Sequence, residues 1–453
     1  MPPAGWILNF LYGLLLIAAS PWIAYRRLRH GKNREGWRQK LLGDIPARPG
    51  GRPCLWFHAV SVGEVLLLKP VLDRLLQERD SLDIVISTTT QTGQAVAREK
   101  YSFARTIYFP FDFTWAVKRS IRRIRPDAVA LVELELWPNF IDAVHKSGIP
   151  LILLNGRVSE CSFRGYSRIS RLVGAWLRKF TLLTVQTEEY GERLRALGAP
   201  ADRVVVTGSV KYDGLEHNRE NAGTRSIREA FGIRPHERVF IAGSTQAPEE
   251  QAAIDAYRVL SSEFTDLRLI IVPRHKERFE EVASLIEALG LGLVRRSAVA
   301  DAASVGVVDR RCQRLPRASV AAPAHRPVLL LDTLGELSAC WGLADIAFVG
   351  GSLTNRGGQN MLEPAAYGAA VLFGPNTVNF RHAVELLLSR NAARVVHSGE
   401  ELTAAVRELL SNDVVRSSMG CRARDLVLSQ QGATRRIVDL LTEALPSTIR
   451  HAA

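Results

Sequence analysis

Short apolar runs alternate with helical patterns along most of this chain, and this alternation limits the possible folds more than any other feature. Six runs occupy residues 54–61, 83–90, 126–135, 149–158, 182–187 and 203–210. Five more occupy residues 238–245, 267–273, 327–333, 345–352 and 369–375. Continuous apolar strands separated by helices are typical of parallel sheets that are covered on both faces. The pattern therefore predicts an α/β fold.

A polar stretch separates the two series of runs. Residues 211–226 (KYDGLEHNRENAGTRS) contain few apolar side chains and several turn formers. A chain of 453 residues also exceeds what one hydrophobic core usually holds. We therefore predict two Rossmann-like domains facing a cleft, at residues 29–210 and 227–453, joined by a connector at 211–226. Ligands should bind at the carboxyl ends of the strands.

The first 28 residues have the properties of a membrane anchor. Residues 4–25 carry no charged side chain, and their length suits a membrane-spanning helix. The basic residues that follow, which should stay on the cytoplasmic side, are Arg26, Arg27, Arg29, Lys32 and Arg34. Monotopic insertion is an alternative because Ser20 and Pro21 interrupt the run. A signal peptide is disfavoured because its basic residues would precede the apolar run.

The charge balance predicts an anionic partner. The net charge is +13, which suits a phosphorylated substrate, an anionic membrane surface or a nucleic acid. The sequence lacks zinc-finger spacing and aromatic-flanked RNA-binding motifs, so we expect no nucleic-acid partner. The five cysteines, Cys54, Cys161, Cys312, Cys340 and Cys421, are widely spaced, which predicts free thiols. No cluster of metal ligands is visible, and we expect neither a metal nor a cofactor.

Two glycine pairs in the second half predict a phosphate site. A strand is expected to end at Gly350-Gly351-Ser352, and Gly357-Gly358 precedes a predicted helix that begins near Asn360. Glycines let a ligand approach the backbone, and a helix N-terminus attracts anions. We therefore expect a phosphate at residues 360–363, with Glu363 accepting hydrogen bonds from a sugar hydroxyl. A tight turn without a ligand is the alternative.

Other predicted strand ends should converge on the same place. Pro273 and Arg274 follow one strand, and a guanidinium suits phosphate. Leu334-Gly335-Glu336 and Gly243-Ser244-Thr245 follow two others. These loops together predict a nucleotide pocket.

Carboxylates follow two strands of the first half. Glu64 lies between a predicted strand and a helix, where it could be a general base or a partner of the helix dipole. Glu133 and Glu135 end another run, and strand alternation would place both on one face. We expect them near the cleft.

Two basic segments could bind an anionic lipid or the phosphates of an acceptor. Residues 163–177 are predicted to form one amphipathic helix with arginines at Arg164, Arg168 and Arg171. A second cluster comprises Lys118, Arg119, Arg122, Arg123 and Arg125. A solvated helix packed on the domain is the alternative for the first segment. Residues 296–326 are predicted to be a basic loop.

Ordered motifs along nearly the whole chain resemble those of a known family. They are HAVSVGEV, STTTQTG, FPFDF, ELELWPN, LLNGRVS, TGSVKYD, AGSTQAPEE, VPRHKERF, LLDTLGEL and GGSL-x-x-RGGQNMLEPA. In these motifs the chain resembles the bacterial 3-deoxy-D-manno-octulosonic acid (Kdo) transferases of lipopolysaccharide synthesis. The resemblance implies a GT-B fold, CMP-Kdo as donor and a lipid A precursor, lipid IVA, as acceptor.

The resemblance also implies residue roles. Glu64 matches the catalytic base, and Glu133 and Lys211 match positions linked to transition-state stabilisation. The matched CMP-binding positions are Pro273, Arg274, Leu334, Gly335, Glu336, Asn360, Met361, Leu362 and Glu363. The chain departs from the family at Gln246 and Gln359, where histidine is frequent. Glutamine cannot become a cation near neutral pH.

These observations predict an inverting glycosyltransferase at the cytoplasmic face of the inner membrane. The alternatives are a lipid glycosyltransferase that uses another nucleotide sugar and a non-catalytic membrane-bound binder of nucleotide or lipid.

Overall fold

The computed structural model describes residues 3–30, 35–79, 81–299 and 325–445. The chain divides into two compact units. Unit 1 contains the described residues up to Gly214 together with those from Gln430 onward, and unit 2 contains those from Leu215 to Ser429. Lys32, Arg34 and Cys312 lie outside the described residues, as do residues 300–324 of the predicted basic loop.

Unit 1 is built on a seven-stranded parallel sheet with the order β3-β2-β1-β4-β5-β6-β7. Its strands are β1 (Cys54–His58), β2 (Asp83–Thr88), β3 (Arg105–Tyr108), β4 (Ala128–Val132), β5 (Leu151–Gly156), β6 (Leu182–Val185) and β7 (Val204–Val206). Trp56 of β1 pairs with Val85 of β2 and with Val129 of β4. Because β1 is buried along its whole length, its sequence is apolar on both faces.

Helices cover both faces of this sheet. In chain order, the helices of unit 1 up to Gly214 are α1 (Pro3–His30), α2 (Trp37–Leu42), α3 (Val62–Glu78), α4 (Gln91–Lys100), α5 (Thr114–Ile124), α6 (Pro138–Lys146), α7 (Glu160–Ser167), α8 (Ser170–Leu177) and α9 (Glu188–Ala196). One apolar core contains Trp56, Phe140 and Leu153, and a second contains Phe57, Leu72 and Ile152. The alternating strand residues therefore supply two separate cores, one on each side of the sheet.

Unit 2 repeats this plan with a second parallel sheet, in the order β10-β11-β9-β8-β12-β13-β14. Its strands are β8 (Arg238–Thr245), β9 (Leu267–Pro273), β10 (Leu293–Arg295), β11 (Val328–Leu330), β12 (Ile346–Val349), β13 (Ala370–Phe373) and β14 (Ala393–Val395). Its helices are α10 (Ala222–Ala230), α11 (Glu249–Glu263), α12 (Phe279–Ala288), α13 (Leu337–Cys340), α14 (Leu362–Ala366), α15 (Arg381–Ser389), α16 (Gly399–Ser411) and α17 (Asp413–Ser429). The α/β prediction is confirmed.

Three strands were not predicted from the sequence. β3, β10 and β14 each lie at an edge of their sheet and contain only three or four residues. An edge strand is paired on one side only, so it tolerates the polar residues that a central strand excludes. Their sequences, RTIY, LVR and ARV, therefore lack a continuous apolar run.

The last helix, α18 (Ala433–Ala444), belongs to unit 1 and not to the predicted second domain. Ile437, Val438 and Leu441 are buried in the same core as Leu72 of α3. The predicted boundary of 227–453 is therefore wrong at its C-terminal end. The predicted connector at 211–226 also includes the start of α10, at Ala222.

The N-terminal helix α1 is apolar and largely uncovered. Among the described residues, one helix has the length and composition to cross a membrane, with its window at Gly5–Trp22 and a mean hydropathy of 1.4. Only 6% of that window is buried. Its exposed side chains distinguish α1 from the covered helices of both units.

Truncation of a buried side chain of α18 should destabilise unit 1. Leu441→Ala removes methyl groups from a side chain that is 1% exposed. We expect a loss of ~2–5 kcal/mol in the free energy of unfolding because a cavity remains. Hydrogen exchange should become faster in β1 and stay unchanged in β12. The exposed Val414→Ala is the control, and equal protection in β1 for both variants would contradict the assignment of α18 to unit 1.

Candidate active site

The carboxyl edge of the first sheet gathers the predicted residues of unit 1. The strand order changes direction between β1 and β4, which are neighbours. Glu64 follows β1, whereas Glu133 and Glu135 follow β4. Ligands of open α/β sheets bind at such a switch point, outside the carboxyl ends of the strands. The topology therefore brings these three carboxylates to the place where a ligand is expected.

Glu64 lies in the first turn of α3 and completes a capping box. Ser61 is the N-cap, and its hydroxyl accepts a hydrogen bond from the Glu64 N–H at 3.4 Å. The Glu64 carboxylate accepts hydrogen bonds from the Ser61 hydroxyl and the Val60 N–H, each at 2.8 Å. The S-x-x-E spacing allows this reciprocal arrangement. Glu64 thus has the structural role that sequence analysis gave as an alternative, and its side chain is held in one place.

The surroundings of Glu64 also favour a role as a base. Burial raises the pKa of its carboxyl, against the opposing effect of hydrogen bonds from Val60 and Ser61, and the charge of Glu133 raises it further. Each carboxylate oxygen keeps a second lone pair that can accept a proton. A carboxylate whose pKa lies nearer to neutrality is a more effective general base.

Glu133 occupies a strained position beside Lys211. Its φ of 56° lies in the left-handed region, which costs about 1–3 kcal/mol in a side-chain-bearing residue. The Lys211 Nζ lies 3.9 Å from Glu133 Oε1. Burial lowers the pKa of Lys211 and the positive charge of Arg157 lowers it further, while Glu133 and Glu64 raise it. Backbone strain that persists at a charged residue is typical of functional sites.

Glu135 joins this group by a route that differs from the prediction. The predicted strand alternation is wrong, because β4 ends at Val132 and Glu133 turns the chain. Glu135 nevertheless comes close to Glu64 and Glu133. Burial, together with the charges of these two neighbours, raises the pKa of Glu135 to about 7.

Asn155 was not predicted as a site residue, but it connects β5 to the segment that carries Lys211. Its buried side chain accepts a hydrogen bond from the Val210 N–H at 3.2 Å through Oδ1. Its φ of 54° is left-handed, a conformation that asparagine tolerates better than most residues. The signal in the sequence was an asparagine at the end of an otherwise apolar run.

Loops of unit 2 meet at the carboxyl edge of the second sheet. β11, β9, β8 and β12 are consecutive neighbours. A buried carboxylate, Glu249 at the start of α11, ties two of the loops together. It accepts hydrogen bonds from the N–H groups of Gln246, Gly351, Ser352 and Leu353 at 2.7–3.0 Å. Sequence analysis gave Glu249 no role because a first-turn glutamate is common.

Arg274, Asn360 and Glu363 come together as predicted. The Asn360 amide donates to Glu363 at 2.9 Å. Burial raises the pKa of Glu363, while the hydrogen bond from Asn360 and the charge of Arg274 oppose this rise. A helix follows the second glycine pair as predicted, but it is short: α14 has five residues and contains Pro364. Its dipole is correspondingly small, so anion binding here would depend on Arg274 and single N–H groups.

The remaining predicted residues of unit 2 occupy the same edge. Pro273 ends β9, and the Arg274 N–H donates to the Thr245 carbonyl at 3.0 Å. Met361 and Leu362 have buried side chains, so only their backbone could contact a ligand.

The loop after β11 carries the other three predicted residues. Leu334 is 70% exposed, and Gly335 has a φ of 87°. Although burial raises the pKa of Glu336, hydrogen bonds from Arg296 and Thr333 hold it below its usual value. Glu336 therefore already has a cationic partner.

The two positions that depart from the family motif are neighbours. A methyl group placed on Gly351 would lie 3.3 Å from Gln359 Nε2 and 3.6 Å from Gln246 Nε2. Both amides therefore border the glycine loop that Glu249 holds.

The predicted basic helix at residues 163–177 is instead two helices. α7 ends at Ser167 and α8 begins at Ser170. Ile169 and Leu172 at this break are exposed, whereas Val173 and Leu177 pack into unit 1. Burial raises the pKa of Tyr166, and the negative charge of nearby Glu135 raises it further. α7, which carries Tyr166, therefore borders the carboxylates.

Within the described ranges, no group of three His, Cys, Asp or Glu side chains could hold a metal ion. The described cysteines, Cys54, Cys161, Cys340 and Cys421, are free thiols.

Comparison with known proteins assigns the family. The family model of 3-deoxy-D-manno-octulosonic-acid transferase (kdotransferase) matches residues 33–214. A 3-deoxy-D-manno-octulosonic acid transferase of Haemophilus influenzae is 32% identical over 400 residues, which cover 87% of this chain and 88% of that protein. The chain belongs to the Kdo transferase family. Its Bordetella pertussis relative is 31% identical over 451 residues, covering 96% of this chain and 99% of the relative.

Solved structures establish the fold. MurG from Acinetobacter baumannii superposes with a TM-score of 0.52 at 15% identity, covering 87% of this chain and 100% of that one. UDP-GlcNAc 2-epimerase from Neisseria meningitidis gives a TM-score of 0.56 at 14% identity, with 86% and 100% covered. The predicted GT-B fold is confirmed, and the chain is a glycosyltransferase.

Glu249→Gln should loosen the glycine loop of unit 2. The amide nitrogen of glutamine cannot accept a hydrogen bond, so two of the four N–H donors would lose their acceptor. We expect a destabilisation of ~1–3 kcal/mol. Amides of Gly351, Ser352 and Leu353 should exchange at least about tenfold faster. Glu263→Gln, at the exposed end of the same helix, is the control. Unchanged exchange in the Glu249 variant would refute this role.

Proposed function

We propose that the chain moves Kdo from CMP-Kdo to a lipid A precursor, lipid IVA, with inversion at the anomeric carbon. The observation that carries this proposal is the capped, half-buried Glu64 at the strand switch point of a chain in the Kdo transferase family. In this account unit 1 binds the acceptor and unit 2 binds the nucleotide sugar.

Glu64 is the proposed general base. It takes the proton from an acceptor hydroxyl while that oxygen forms a bond to the anomeric carbon of Kdo. The bond from this carbon to the phosphate oxygen of CMP breaks, and CMP leaves as an anion. Glu133, paired with Lys211 beside Glu64, stabilises the positive charge of the oxocarbenium-like transition state, and Lys211 stabilises the departing phosphate. A positioned general base typically contributes about 10²–10⁴-fold to the rate.

The donor is proposed to bind at the carboxyl edge of the second sheet. Arg274 would hold the phosphate, with an N–H group near Asn360 as a second donor. Glu363 would accept a hydrogen bond from the ribose, and exposed Leu334 would contact the base. The full proposed set comprises Pro273, Arg274, Leu334, Gly335, Glu336, Asn360, Met361, Leu362 and Glu363. No metal enters this proposal.

The proposed site of action is the cytoplasmic face of the inner membrane. The apolar window of α1 supports membrane attachment, and the basic residues after it favour the cytoplasmic side. An anionic membrane surface would also suit the net charge of +13.

Glu64→Gln should abolish most of the transfer. Glutamine preserves the capping box but is not a base at neutral pH, so the rate of acceptor-dependent CMP release should fall at least about 100-fold. CMP affinity, measured by calorimetry, should be unchanged. Glu78→Gln at the exposed end of α3 is the control. Transfer at the parent rate by the Glu64 variant would rule out the assigned base.

On the acidic side of the pH profile, the midpoint of kcat/KM should reflect the raised pKa of Glu64. Glu64 must be ionised to accept a proton, so kcat/KM should rise with pH through a midpoint above 4.5. Glu133→Gln removes a nearby negative charge, so it should move this midpoint to lower pH as well as slow the reaction. Exposed Glu160→Gln is the control. A midpoint that Glu133→Gln does not move would contradict the proposed coupling.

A further inference from the structure

The first half of α1 is attached to the rest of unit 1 by a polar side chain within its apolar sequence. Asn9 is 7% exposed. Its amide donates to the Thr114 hydroxyl at 2.8 Å, and its oxygen accepts from the Thr114 N–H at 3.1 Å and from the Asn139 amide at 3.3 Å. Thr114 begins α5. Every polar atom of the Asn9 side chain therefore contacts unit 1.

The contact is built into the core of the unit. Asn139 donates to the Asp112 carbonyl through its side chain, and the Asp112 carboxylate accepts from the Asn139 and Phe140 N–H groups at 2.9 and 2.8 Å. Asp112 and Asn139 are themselves buried. The same face of α1 continues at Tyr12, whose ring packs edge-on against Phe113 at 6.3 Å.

The chain returns to the same place after α1. Trp37 packs against Phe111 at 6.1 Å. Phe111 and Thr114 are three residues apart, so their Cα atoms are separated by at most ~11 Å. A hydrocarbon core is ~30 Å thick. The anchoring points at Asn9, near the start of the helix, and at Trp37, after its end, are therefore too close together to lie on opposite sides of a bilayer.

A helix that crossed the bilayer would also place polar groups in the hydrocarbon. If the window Gly5–Trp22 were centred in the bilayer, Asn9 would lie ~7 Å from the midplane, within the hydrocarbon. The polar residues of the same network, which are Asp112, Thr114 and Asn139, would then lie at a similar depth. Placing polar groups of a folded unit in hydrocarbon is costly in free energy.

Much of the remaining surface of α1 is apolar and uncovered. Its exposed large side chains are Trp6, Ile7, Phe10, Leu11, Leu14, Leu15, Ile17, Trp22 and Tyr25. The apolar surface continues on unit 1 at Trp115, which stacks on Phe113 at 4.6 Å and is 49% exposed. Tryptophan at such a border is typical of a membrane interface.

Basic side chains lie next to this apolar surface. Lys118 and Arg122 on α5 are exposed, one and two turns beyond Trp115. Their charge complements the anionic head groups of a leaflet, whose attraction is worth about 1 kcal/mol per basic residue.

We propose that α1 does not cross the membrane. It lies in the plane of one anionic leaflet, fixed to unit 1 by Asn9, with its Trp6–Phe10 face and Trp115 immersed. Both ends of α1 are then on the side that carries the two units. This inference deepens the proposed function, since it rests on membrane attachment.

Cysteine labelling in vesicles tests the topology. The full chain would carry Ser in place of Cys161, Cys312 and Cys421, with one added cysteine at Ala4→Cys or, as the matched probe beyond the apolar window, Arg29→Cys. A membrane-impermeant maleimide would be applied to inside-out and right-side-out inner-membrane vesicles. We expect both probes to react in inside-out vesicles and neither to react in right-side-out vesicles.

Reaction of Ala4→Cys only in right-side-out vesicles would show a crossing helix and overturn the proposal. In inside-out vesicles, failure of Ala4→Cys to react before detergent is added would also overturn the proposal, because that end of α1 would then be buried in the bilayer. Transfer from CMP-Kdo is measured on the same vesicles. Labelling of both probes in inside-out vesicles without transfer would refute the proposed function alone. Transfer together with labelling of Ala4→Cys only in right-side-out vesicles would refute this inference alone.

Discussion

In each unit all seven strands run parallel, so every loop that leaves a carboxyl end emerges at one edge of the sheet. The rest of the account depends on this constraint. It places Glu64, after β1, next to Glu133, after β4, although 69 positions of sequence separate them. The same rule places the loop after β8 beside the loop after β12 in unit 2.

At the carboxyl edge of each sheet, one carboxylate accepts hydrogen bonds from the backbone. These two carboxylates, Glu249 and Glu64, differ in burial. Glu249 is 0% exposed and satisfied by four N–H groups, which suits a fixed support for a glycine loop. Glu64 accepts one hydrogen bond from a backbone N–H, that of Val60, and one from the Ser61 hydroxyl. It stays half-buried, next to two other carboxylates and Lys211. Its partial burial raises its pKa without removing its access to a ligand. This difference in environment is consistent with the proposed roles, a structural support for Glu249 and a general base for Glu64.

The central strands could be predicted from the sequence because each leaves a local signal, such as the apolar run that marks β1. The same runs place Glu64 and Glu133 after strands, and this is why both could be selected as candidates. Features that depend on tertiary contacts were missed. Nothing near Asn9 in the sequence indicates that Thr114 and Asn139 lie beside it, and the edge strand β3 has no continuous apolar run. The length of α14 and the left-handed turn at Glu133 are likewise set by the surrounding fold.

One reaction tests the central claim most directly. The purified full-length chain is incubated with CMP-Kdo and lipid IVA, and the lipid products are weighed by mass spectrometry. The account predicts lipid whose mass has increased by whole Kdo residues, formed together with an equal amount of CMP. Unmodified lipid IVA, in a preparation that binds CMP, would contradict it.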